Sequence, residues 1–343
     1  MTDSAKPLGE FDLIERFFKN RANQQLKNHP EIHLGIGDDC ALIGVEKSLN
    51  TSDLKDLAIS TDMLVEGRHF LPNADPYLLG HKCLAVNLSD LAAMGARPLG
   101  FTLAIAMPEV KAAWLEAFSN GLFDLANQHQ CPLIGGDTTA GHLTISITVF
   151  GRVSGSAALA RHKAQVGDDI WISHQVGDAR LTLGAVRLEW PLSTEEFNTV
   201  SPRMHAPTPR VNLGQKLLGI AHAAIDISDG LLGDLSHILR QSKVSAEVLI
   251  DQVPGSTVLS SKSLELQRLC KLTGGDDYEL CFTAPSEKSA AINDLSKELG
   301  LALTKIGKIT SSSTQLITLI DGDGHPLPPN LSAQYLKSFD HFK

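Results

Sequence analysis

Apolar residues recur along this chain with two periods, and the two alternate. Over residues 75–98, DPYLLGHKCLAVNLSDLAAMGARP, apolar positions return at every helical turn; Asp75 with Pro76 is a start signal, and Gly95 with Pro98 a stop. FTLAIAM (101–107) reads as a strand, EVKAAWLEAFSNGLFDLANQHQ (109–130) as a helix, and HLTISITVFGRV (142–153) as a strand of period two. Upstream, EFDLIERFF (10–18) spaces Phe11, Ile14, Phe17 and Phe18 as a helix does, and DLAIST (56–61) has the length of a strand. A stretch rich in small and turn residues follows (155–169). The alternation then resumes with IWIS (170–173), a helix around 179–189, AAIDIS (223–228) and a helix over 231–240.

This pattern predicts an α/β chain with a boundary near residue 158, giving domains 1–157 and 158–343. A GGD in each half (135–137 and 274–276) hints at duplication, and DGDGHPLPPN (321–330) reads as a hairpin and loop. The 343 residues, 43% apolar and 20% charged, suffice for two buried cores. No apolar run reaches eighteen residues and the start lacks a secretory pattern, so the expectation is a soluble cytoplasmic protein. Five cysteines without a CxxC pair fit reduced core thiols better than a disulfide frame or a zinc site. A net charge of −9 without a basic run argues against nucleic-acid and membrane partners.

Charge of one sign also collects in a particular way. Acids follow apolar runs in GIGDD (Asp38, Asp39), ISTD (Asp62), NLSD (Asp90), IGGD (Asp137), IDISDG (Asp226, Asp229) and TGGDDYE (Asp276, Asp277, Glu279). In open α/β folds ligands bind beyond strand ends, so these positions are expected to form a site. Two carboxylates about 5 Å apart repel by roughly 3 kcal/mol at an effective dielectric near 20, so a cluster calls for cations. Oxygen ligands without nearby His or Cys suit Mg²⁺, with Mn²⁺ as the alternative. Taken singly, each aspartate is more ordinarily a turn former or helix cap: Asp229 before Gly230 reads as a cap, and Asp276 and Asp277 as caps of the turn before YELCF. Other phosphate and catalytic devices are missing. GKIT (307–310) is no P-loop, GIGDDC carries only two glycines of a dinucleotide fingerprint, DGDGH lacks the rest of a calcium loop, and neither GxSxG nor HExxH occurs.

In this order GEFDLIERFF, GIGDDCA, LAISTDMLVEGRHF, LAVNLSDLAAMGARP, LIGGDTTAG, IDISDGLLGDL, LTGGDDYELCF and FDHF (339–342) resemble the thiamine-monophosphate kinase family. That family belongs to a superfamily with aminoimidazole ribonucleotide synthetase and selenophosphate synthetase. The resemblance implies a two-domain PurM-like architecture, each domain a mixed sheet covered by helices. It implies transfer of the ATP γ-phosphoryl group to thiamine monophosphate by a homodimer using several Mg²⁺ ions. Carried over, the metal ligands are Asp39, Ser60, Thr61, Asp62, Asp90, Asp137, Asp226 and Asp229. The nucleotide contacts are Thr61, Gly136, Asp137, Arg161 and Ser228, and the catalytic set is Asp39, Asp90, Asp137 and Arg161. His69, Asp276 and Phe339 fall at positions the family uses around thiamine. Two positions depart from the pattern: Asp276 often corresponds to Glu, and the tail YLKSFDHF replaces a Trp and Gly before a Tyr.

The acceptor in such a reaction is a phosphate monoester, largely ionised at neutral pH, so no catalytic base is needed. The burden falls on positioning, on metal and on a cation such as Arg161. Without the family, Arg161 would read as a solvated loop residue, His69 as a packed histidine and Phe339 as a docked tail; Lys82 reads as a surface residue of its helix. Selenophosphate synthetase and the hydrogenase-maturation relative would each show a reactive cysteine in a terminal segment, which this chain lacks. A noncatalytic calcium buffer is the alternative of a different class.

Overall fold

The computed structural model describes residues 13–27, 29–45, 55–154 and 156–336. The first half builds a six-stranded sheet in the order β1-β2-β3-β6-β4-β5. Its strands are β1 (Ile32–Leu34), β2 (Ala41–Gly44), β3 (Lys55–Val65), β4 (Arg97–Met107), β5 (Leu133–Ala140) and β6 (Thr144–Ser154). Only the β4–β5 pairing is parallel. The second half repeats the plan in the order β12-β9-β11-β7-β10-β8, with β7 (Asp169–Ser173), β8 (Ala223–Asp226), β9 (Ser245–Leu249), β10 (Leu280–Ala284), β11 (Leu303–Thr310) and β12 (Ile317–Ile320). There the β9–β12 pairing alone is parallel.

Alternation decides which face is covered. Along β6, Ile145, Ile147, Val149 and Val153 are buried, whereas Thr144, Ser146 and Thr148 between them stay half-exposed. β7, β8 and β10 are buried at every position, as expected of strands covered on both faces.

The helix Pro76–Ala93 ties the halves together. It starts where the Asp75 carboxylate accepts the Leu78 N–H at 3.0 Å, with Pro76 in the first turn, and the chain leaves it through Gly95 at φ 70°. Most of its circumference is buried, so it is apolar nearly all round. One side packs on the helix Ala112–Gln128, where a Cβ on Gly80 would lie 2.0 Å from the Phe118 carbonyl oxygen and one on Gly121 1.9 Å from that of Tyr77. Only glycine permits so close a backbone approach. The hydrophobic core around this helix runs into Trp171, Ala224 and Phe282 of the second sheet, so the halves share apolar contact.

Several expectations are met and others corrected. The five cysteines are free and buried. The 321–330 segment does turn back: Leu327 N–H donates to Leu319 O and Gly324 N–H to Asp321 O. The N-terminal helical segment is a π-helical Ile14–Lys19 running into an α-helix Asn20–Leu26, with Phe17 and Phe18 exposed; residues 10–12 lie outside the described residues. The two GGD sequences are not structural counterparts, since 135–137 lie inside edge strand β5 and 274–276 in the loop before β10. Lys82 is not a surface residue but 5% exposed, because the helix carrying it has no free face at that position. Among the described residues no helix is long and apolar enough to cross a membrane.

Candidate active site

Four segments meet where the halves join. Asp39 lies in the bend before β2, Asp62 in β3, Asp90 in the last turn of the helix Pro76–Ala93, and Asp226 at the end of β8. One carboxylate oxygen each of Asp39, Asp90 and Asp226 lies within 4.8 Å of the others, so both halves contribute to one cluster. The expectation that these acids share a strand-end setting is corrected: Asp62 and Asp137 sit inside strands and Asp90 in a helix. They converge because different elements cross at one place.

Two of these carboxylates, Asp90 and Asp39, have side-chain donors. Ser60 Oγ donates to Asp90 Oδ2 at 2.5 Å. Arg161, opening the short 3₁₀ turn Arg161–Lys163 after β6, grips Asp39 with both arms of its guanidinium, Nε to Oδ2 at 3.1 Å and a terminal nitrogen to Oδ1 at 2.7 Å. Asp38 braces that joint by accepting the backbone N–H groups of Asp39 and Arg161, each at 3.0 Å. Gly230 rather than Asp229 stands at the N-cap of the helix Leu231–Ser242, and the Asp229 backbone N–H donates to the buried Asp234 carboxylate at 3.1 Å.

Crowding shows in the protonation equilibria. Burial first, then Asp62, Asp226 and Asp39, holds the Asp90 carboxyl well above the usual range. Burial and Asp39 do the same to Asp226. Asp62 is pushed up to about 6 and Asp38 to about 7, again by burial first and Asp39 next. Hard oxygen donors this close, with the Arg161 guanidinium among them, match a divalent cation of the Mg²⁺ or Mn²⁺ type, and among the described residues no thiolate or imidazole joins the set as zinc would favour.

A cavity of about 920 Å³ adjoins this cluster; Asp62, Asp90, Asp226, Ser228 and Asp229 line it, together with His69, Phe70, Arg180, Met204, Asp276 and Tyr278. The Val65 N–H donates to His69 Nδ1 at 3.0 Å, which places the proton of a neutral ring on Nε2. Asp276, at φ 71°, is anchored by its N–H donating to Ser228 O at 2.8 Å. Asp277 and Glu279 are structural: Asp277 accepts the Gly177 N–H at the start of the helix Asp178–Val186, and Glu279 is buried against Arg210 and Ser173.

The remaining sequence-selected residues lie elsewhere. Thr61, on the opposite face of β3 from Asp62, pairs its hydroxyl with Thr148 at 2.9 Å and lines the cavity rim. Gly136 and Asp137 are exposed on edge strand β5. Asp137 is level with Ala104, Ser146 and Met63, so three strand spacings, roughly 14 Å, separate it from β3. Phe339 lies outside the described residues. Sequence reasoning missed Lys82, whose Nζ lies 2.5 Å from Asp276 Oδ2; a lysine in a helix apolar on every side was the available signal.

A two-domain architecture of paired mixed sheets with acids at the junction defines a class, and family models identify it. Residues 37–153 match the AIR synthase related protein N-terminal domain and 154–318 the corresponding C-terminal domain. Within that class the chain belongs to the thiamine-monophosphate kinase family. It is 42% identical to thiamine-monophosphate kinase of Haemophilus influenzae over 98% of both chains. The crystal structure of thiamine-monophosphate kinase from Stenotrophomonas maltophilia K279a, also 42% identical, superposes with a TM-score of 0.75 over 94% of this chain and 99% of that one. The structure of AaThiL complexed with AMPPCP and TMP, 27% identical, gives 0.77 over 98% of this chain and 97% of that one.

Proposed function

We propose that the protein is an ATP-dependent kinase that phosphorylates thiamine monophosphate to thiamine diphosphate by direct in-line transfer. The observation that carries this reading is the convergence of Asp39, Asp90 and Asp226, from both halves, beside a cavity of about 920 Å³ that Asp90 and Asp226 line. Mg²⁺, or Mn²⁺ in its place, would be held by Asp39, Asp62, Asp90 and Asp226 with Asp229 and Ser60 beside them, while Thr61, on the other face of β3, is assigned from the family pattern alone. Bound there, the metal supplies charge neutralisation for the phosphate oxygens. The acceptor oxygen is already largely ionised at neutral pH, so the chain need only aim it.

Arg161 serves the reaction first by fixing Asp39, and Ser228 offers a hydroxyl at the nucleotide end. His69 and Asp276 face the thiamine moiety, and Phe339 is assigned with them from the family pattern. Gly136 and Asp137, on an open sheet edge away from the cluster, fit a nucleotide role completed by a second copy. The β5 edge is exposed throughout, and a groove of about 370 Å³ lined by Leu103, Met107, Leu122, Phe123 and Leu133 runs beside it. An uncovered edge next to apolar side chains supports a homodimer built on this face. Five free buried thiols and an ATP requirement suit the cytoplasm.

The test is product formation. Thiamine diphosphate should appear only when ATP, Mg²⁺ and thiamine monophosphate are all present. Tight Ca²⁺ binding without turnover would instead make the acids a buffer.

A further inference from the structure

Lys82 makes two polar contacts, and both reach across the molecule. Its ammonium lies 2.5 Å from Asp276 Oδ2 and 2.9 Å from the Met204 carbonyl oxygen, the latter in the last turns of the helix Thr194–His205. The lysine side chain is 6% exposed, the aspartate 34%, and both line the cavity. An ammonium so enclosed must stay paired, whereas the carboxylate keeps an open side. The Asp276 backbone is fixed as well, by its hydrogen bond to Ser228 and its left-handed φ.

We propose that Lys82 is a positioning residue for the acceptor: it locks the Asp276 carboxylate in one orientation and cancels its charge. Asp276, which the Tyr278 hydroxyl also contacts, then meets the acceptor as a hydrogen-bond acceptor, through the oxygen not held by Lys82, rather than as a counter-ion. This rests on the assignment of Asp276 to the thiamine moiety made above. It follows that recognition at this wall selects an amino-bearing ring by geometry. A cationic ring alone gains little from a neutral ion pair.

Steady-state kinetics of Lys82→Met test it. KM for thiamine monophosphate should rise about tenfold or more, the scale of a charge-assisted hydrogen bond losing its alignment. KM for ATP should stay within about twofold, and Lys82→Arg should recover part of the loss. In an Asp276→Ala background, Lys82→Met should add less than about twofold. Equal rises in both KM values, or the same factor in that background, would show a structural strap between the halves and overturn the proposal. A wild-type protein that turns over no thiamine monophosphate removes the parent reading, and this one with it. If Lys82→Met shows no melting transition, a wild-type structure with thiamine monophosphate decides. Nζ retained on Asp276 with the acceptor on the other oxygen supports the role, and Nζ moved onto the acceptor phosphate ends it.

Discussion

At the scale of residues, the site is a balance between repulsion and restraint. Asp90 and Asp226 are held above the ordinary carboxylate range mainly by burial, so each ionises only against a cost that a cation offsets. Replacing Asp90 or Asp226 with Asn should lower turnover by roughly a hundredfold or more. In the absence of divalent ions the melting temperature should hold or rise, because a repulsive group is gone. A variant with normal turnover would remove that residue from the machinery. The metal-free protein has a pH signature of defined sign. Asp62 and Asp38, raised to about 6 and about 7, contribute stability that is fully present below the ordinary carboxylate pKa and is lost as pH rises through those values. Millimolar Mg²⁺ should therefore raise the melting temperature more at about pH 8 than at about pH 5. Equal shifts at both would contradict it. Of the acids that local sequence singled out, Asp39, Asp90 and Asp226 come together, whereas Asp137 lies on the β5 edge and Asp277 and Glu279 hold neighbouring elements. The partners of these acids were not legible there: the Arg161 grip on Asp39 and the Lys82 pair with Asp276 join residues 122 and 194 positions apart.

Among elements, legibility followed length. The helix Pro76–Ala93 and strands β3, β4 and β6 carry enough turns or alternations to reveal their period. β1, with three residues, does not, and it is β1 and β2 that frame the bend holding Asp39. In β5 the glycines of LIGGDTTAG suggested a strand ending, yet the strand runs through them to Ala140, because parallel pairing with β4 satisfies the backbone there. The Gly80–Gly121 crossing is likewise invisible to periodicity, since a glycine in a helix reads only as a weak position. Gly121→Ala should destabilise the protein by about 1–3 kcal/mol, by forcing apart helices whose backbones leave 1.9 Å for the new methyl. Chemical denaturation measures this, and an unchanged midpoint would mean the helices can separate freely. The same shift carries Asp90 and Lys82, so turnover should fall with stability.

Over the whole molecule, two similar sheets are joined so that neither half owns the site. The α/β class could be read from alternating periods, and the two-part organisation from chain length and the turn-rich stretch 155–169. The crossing of Asp39 and Asp90 with Asp226 could not, because it depends on how the two sheets dock. That shared ownership has a thermodynamic corollary. Any ion bridging these three carboxylates is also a rivet between the halves, and its affinity includes part of the free energy of holding them together. Stripping divalent ions with a chelator should thus raise the rate at which a protease cuts near residues 156–160, and Mg²⁺ returned in excess should slow it again. By the same reciprocity, a substitution far from the carboxylates that loosens the junction would weaken ion uptake without touching a single ligand.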